Sequence, residues 1–122
     1  MQRRLLRRSD IVRRLTPAKY SIETYNAKTL HTDRLRRGEY DTAAEAVTAA
    51  RALIDEQLLA AIGAGRLWED AYRDWLSFGE VPSIVAIATE ALEVDFDAFS
   101  YAASQAQVMA EVERMARSHR KN

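Results

Sequence analysis

The sequence contains no cysteine, only two histidines and two prolines, and no apolar run long enough to cross a membrane. Without cysteine there is no disulfide framework, no thiol nucleophile and no thiolate-held metal or iron–sulfur cluster. The histidines, His31 and His119, have no second histidine one helical turn away, so the spacing of a zinc or catalytic pair is missing and no metal is expected. A membrane-spanning helix needs about eighteen unbroken apolar residues, and no stretch reaches that length, so no membrane association is expected. The basic start Met1-Gln2-Arg3-Arg4-Leu5-Leu6-Arg7-Arg8 resembles the first region of a signal peptide, but Asp10, Arg13 and Arg14 interrupt the apolar region that would follow. A cytoplasmic protein is the expectation. Glycine is scarce as well. Gly63-Ala64-Gly65 follows a helix instead of joining a strand to a helix start, so it stops a helix and forms no phosphate loop, and no cofactor is expected.

What is present is enough for one core. Of 122 residues, 48% are hydrophobic and 30% charged, which are globular values, and a chain this long buries roughly two-thirds of its unfolded surface. The net charge of +0 conceals a segregation. Residues 1 to 37 hold eleven Lys and Arg against three Asp and Glu, a balance of +8; residues 38 to 122 hold seven against fifteen, a balance of −8. Nine arginines in the basic part form a candidate polyanion contact: Arg3, Arg4, Arg7, Arg8, Arg13, Arg14, Arg34, Arg36 and Arg37. They can meet nucleic acid, the chain's own acidic body, or a second subunit.

The periodicities divide the chain at about residue 18. Residues 1 to 18 read as a basic arm, disordered or helical when docked on a partner, with Leu5, Leu6, Ile11, Val12 and Leu15 at helical spacing and Thr16-Pro17 as its end. Residues 19 to 122 read as one α+β domain. Tyr20, Ile22 and Thr24 alternate with Ser21, Glu23 and Tyr25 as in a half-buried strand, and Arg34 to Tyr40 returns as a charged edge strand. Thr42 and Glu45 have the spacing of a capping box. Behind them Ala46, Val47, Ala50, Leu53, Ile54, Leu58, Ala61 and Ile62 form one face of a long helix that stops at Gly63 and Gly65. A shorter helix over 67–77 carries an aromatic face, and Ile84 to Ile87 is a third strand; Thr89 to Val94 is a loop or short turn. Asp97 caps the last helix with Phe96 stapled to Tyr101. Its apolar positions continue through Ala102, Val108, Met109, Val112, Met115 and Ala116 before a fraying basic tail. The expected fold is β-β-α-α-β-α: a three-stranded antiparallel sheet packed by helices.

The words Gly38-Glu39-Tyr40-Asp41-Thr42-Ala43-Ala44-Glu45-Ala46, Phe78-Gly79-Glu80-Val81-Pro82-Ser83-Ile84-Val85 and Phe96-Asp97-Ala98-Phe99-Ser100-Tyr101-Ala102 stand in an order that resembles a group of small bacterial proteins of unknown function. That group's pattern is "GEFDTxEEA … FGEDPFIV … FSAxxYA". The resemblance covers roughly Lys19 to Met109, departs from the pattern at Val81 and Ser83, and implies the same element order with no activity attached.

No catalytic motif is legible. Glu69, Asp70 and Asp74, followed by Glu80, are spaced so that they could line one cleft, although a solvated face is the favoured explanation, as it is for Asp55 and Glu56. Trp68, Tyr72, Trp75 and Phe78 serve either as a core face or, where exposed, as a partner interface. The leading expectation is a non-enzymatic protein-interaction or regulatory module, with its surface at the sheet edge and the acidic helices. Homodimerisation would cover the open edges of so small a sheet. Nucleic-acid association through the arm is the alternative, and an enzyme built from scattered carboxylates is the third reading.

Overall fold

A computed structural model describes residues 18–29 and 34–120. The arm with Arg3, Arg4, Arg7, Arg8, Arg13 and Arg14, and the turn residue His31, lie outside the described residues, as do the expectations that fall on them. The described chain runs β1 Tyr20–Tyr25, β2 Leu35–Tyr40, α1 Ala43–Gly63, α2 Trp68–Phe78, β3 Val81–Ala86 and α3 Ala98–Arg120. The strands form one antiparallel sheet in the order β2-β1-β3. This is the α+β arrangement, and the β-β-α-α-β-α order, that the periodicities predict.

β1 lies in the middle of the sheet, and residues on both of its faces are buried: Tyr20, Ser21, Ile22 and Thr24. Alternation on this strand therefore marks side-chain direction more faithfully than it marks exposure. The Ser21 hydroxyl is enclosed without a hydrogen-bond partner. Between Ile22 and Glu23 the register with β2 slips, a bulge that leaves Arg37 outside the pairing. Its guanidinium turns to the Thr24 hydroxyl, 3.3 Å away, and to the Glu80 carboxylate.

β3 begins three residues earlier than the expected Ile84, with Pro82 inside it opposite Thr24. Proline has no amide to donate, but an edge strand uses only alternate amides in the ladder, so one position can go without. At the other end Ile87 leaves the strand, its amide donating to the Lys19 carbonyl at 2.8 Å.

α1 starts where the capping box predicts: Thr42 is extended and its hydroxyl accepts from the Glu45 amide at 3.1 Å. Ala46, Ala50, Ile54, Leu58 and Ile62 form its buried line, and the helix packs on α2, α3 and all three strands. Its exit needs Gly65, whose φ of 94° is in the left-handed region that side chains disfavour. α3 starts at Asp97, whose carboxylate accepts from the amides of Phe99 (3.0 Å) and Ser100 (3.1 Å) and from the Ser100 hydroxyl (2.8 Å). The Phe96 and Tyr101 rings meet at 6.1 Å, as the staple requires. α3 continues as helix through Arg117, Ser118 and His119, so the expected fraying is absent there.

The core combines Ile54, Leu58 and Ile62 with Ala71, Trp75, Val81, Ala98, Ala102 and Ala106. The contribution of α3 is thus a line of alanines, small enough for the helices to approach closely. Val108, Val112 and Met115, expected along the inner face, are instead 55%, 61% and 52% exposed. They lie on a flank of the helix, off the alanine line.

Candidate functional site

Arg34, Arg36 and Arg37 sit together on or beside β2, and each already has a carboxylate neighbour. Arg34 is 3.6 Å from Glu23 with its guanidinium 5.1 Å from the Tyr25 ring centre; Arg36 is 3.1 Å from Glu39; Arg37 pairs with Glu80. These pairs are solvent-exposed and individually worth little. Even so, they offer an incoming phosphate three cations whose charge is locally matched.

The aromatic set divides. Trp75 is 3% exposed, stacks on Tyr72 at 6.0 Å, meets Phe99 edge-on at 5.7 Å, and donates its indole N–H to the Glu80 carbonyl at 3.2 Å. Trp68 and Tyr72 are half-buried against the same core. Phe78 alone stands out, 82% exposed, with the Lys28 ammonium 5.8 Å from its ring centre.

The carboxylates of α2 and its C-terminal turn do not converge. Asp70 lies 3.6 Å from Arg73, Asp74 2.5 Å from Arg66, and Glu80 faces Arg37. Among the described residues no group of three or more His, Asp or Glu is placed to hold a metal ion. Asp55 accepts a 2.7 Å hydrogen bond from the Tyr101 hydroxyl, joining α1 to α3, and Arg51 covers the same ring at 5.4 Å. Burial, and then the donated hydrogen bond and charge of Asp55, push the Tyr101 phenol up to about 12. Its role is a structural clasp.

The surface that emerges is the second half of α3. On one flank lie Val108, Val112 and Met115, spaced four and three residues apart. On another, a cleft of about 770 Å³ opens between α3 and the corner joining α1 to α2. Ile62, Leu67, Trp68 and Ala110 give it apolar walls, and Arg114 and Arg117 stand at its rim. Those two arginines pair along the helix with Glu111 (2.5 Å) and Glu113 (3.3 Å), and the hydrogen bonds of Arg114 hold the Glu111 carboxyl below its ordinary range.

The available signal for this surface was the alanine series 98, 102, 106. Four-residue spacing of small side chains marks the line of closest helix approach, which leaves the larger apolar residues at 108, 112 and 115 on a separate line. No protein-family model, curated protein or solved structure matches the chain.

Proposed function

We propose that the protein is a non-catalytic interaction module that docks a protein partner on the second half of α3. The observation that carries this reading is the exposed row Val108, Val112 and Met115 on a helix whose remaining outer positions are largely polar or charged. Contiguous apolar surface rimmed by polar groups is the usual composition of a protein contact, and a helix face presenting anchors one turn apart suits a helical partner. Among the described residues the perturbed ionisable groups serve a helix cap, an ion pair along a helix and the clasp between α1 and α3, which is in keeping with the same reading. The resemblance to the small bacterial group adds no activity that competes with it.

The test is affinity capture with the full chain carrying Val112→Asp, beside the intact chain and a Leu92→Asp control on an exposed residue outside α3. Loss of the specific partner with Val112→Asp alone supports the reading; an unchanged partner set refutes it. Nucleic-acid binding, the alternative, rests on the six arginines of the arm, since Arg34, Arg36 and Arg37 have carboxylate neighbours. It requires an affinity that falls steeply with salt as phosphate counterions are released.

A further inference from the structure

We infer that residues 1–17 dock on their own domain at the end from which they leave it, setting their arginines among the carboxylates of 41–45 and 90–95 and their leucines on Leu92. This contact uses no residue of the α3 row.

Hydrogen bonds fix where the arm departs. Lys19 donates its amide to the Tyr40 carbonyl at 3.1 Å, and its own carbonyl accepts from the amides of Ile87 (2.8 Å) and Ala88 (3.3 Å). The Tyr20 hydroxyl donates to the Leu92 carbonyl at 3.1 Å. Two segments are thereby gathered around residue 18: the start of α1, which follows Tyr40, and the connection from β3 to α3.

Those segments carry most of the acid that the described residues leave unanswered. Elsewhere Glu23, Glu39, Glu80, Asp70, Asp74, Glu111 and Glu113 have arginine neighbours, while Asp55 and Asp97 accept hydrogen bonds. Of the carboxylates with neither, Asp41, Glu45, Glu90, Glu93 and Asp95 lie at this end and are all exposed; only Glu56 and Glu69 lie elsewhere. The same end bears an apolar patch. Leu92, between Glu90 and Glu93 in the chain, is 81% exposed, and Ile87 is 40% exposed.

Charge, pattern and reach together name the arm as the occupant. It holds six arginines against one acidic residue, Asp10, opposite five carboxylates. Its arginine pairs at 3/4, 7/8 and 13/14 alternate with Leu5, Leu6, Ile11, Val12 and Leu15, as the carboxylates alternate with Leu92. Arg14 and Arg13 stand four and five residues before residue 18, so they stay within about 17 Å of it even when fully extended. The tether decides between the arm and a foreign polycation, because a short link holds the arm at an effective concentration on the order of millimolar. Single exposed ion pairs are weak, so the contact needs several at once and yields to salt. Any phosphate backbone that takes up the arm must first displace these carboxylates.

Because the chain has no cysteine, Ser9→Cys gives the arm a single thiol for a nitroxide. In the full chain at low salt, the label should broaden the amide resonances of 41–45 and 88–95 above all others. The localised broadening should be lost near 1 M salt, where the screening length is about 3 Å. Combined Glu90→Lys, Glu93→Lys and Asp95→Lys should also remove it, whereas Glu56→Lys with Glu69→Lys should leave it in place. Circular dichroism establishes that each variant is folded, and the salt series needs no change to the domain. Mixing nitroxide-bearing chains with isotope-labelled chains that lack the nitroxide separates contact within one molecule from contact between two. Broadening carried to the labelled chain would overturn the inference, as would broadening centred on β2 or the α3 row, or a pattern indifferent to salt or to the triple reversal.

Discussion

At Gly79 there is no room for a side chain. A Cβ there would come within 2.5 Å of Trp75 Cδ1 and 2.7 Å of its carbonyl oxygen. The tight turn after α2 thus depends on the same indole that anchors the core. Gly79→Ala should cost about 1–3 kcal/mol in urea unfolding, the range of an overpacked interior. Tyr101 makes a different demand. Its phenol, pushed up to about 12 in the folded chain first by burial and then by Asp55, lies above the ordinary value of 10.0, so the stability it contributes is complete below pH 10 and is lost as pH rises toward 12. Tyr101→Phe should abolish this alkaline component of stability and remove a tyrosinate that forms near pH 12 from the absorbance at high pH. Neither role is readable from residue type. Gly79 looks like an ordinary helix stop, and the partner of Tyr101 lies forty-six positions away.

The helix starts are the most legible elements, because capping is local: Thr42 with Glu45 and Asp97 with Phe96 and Tyr101 use partners within a turn or so. Hydrogen bonds from Ser100, first its hydroxyl and then its amide, hold the Asp97 carboxyl below its usual range. A depressed carboxyl contributes stability above its unfolded value, near pH 3.9, and loses it as pH falls through the folded value. In Asp97→Asn, which retains an acceptor but not the charge, this acid-side component should vanish from helix content followed by circular dichroism. Strand limits are less legible. Pro82 argues against a strand to any local reading, yet position at the sheet edge tolerates it. The row on α3 is missed for a related reason. Apolar residues at helical spacing have two lines available, and packing against α1, α2 and β3 decides that Ala98, Ala102 and Ala106 take the inner one.

Across the whole molecule, the class and order of elements follow from periodicity, whereas the outcome for the surface depends on which groups find partners. Segregated charge illustrates this. The arginines of β2 meet Glu23, Glu39 and Glu80, drawn from all three strands or their approaches, which no count along the chain reveals. The sheet itself ends on a substitute. Gln57 presents one acceptor and one donor to Glu80 as a neighbouring peptide would, while also donating to the Leu53 carbonyl at 2.9 Å. Gln57→Glu keeps the shape and removes the donor, so the Glu80 carbonyl should face an anion; light scattering should then show faster aggregation on warming than for the intact chain. A helix side chain here stands in for a neighbouring peptide at the single residue leading into β3, so growth of the sheet past this corner would first have to displace one carboxamide.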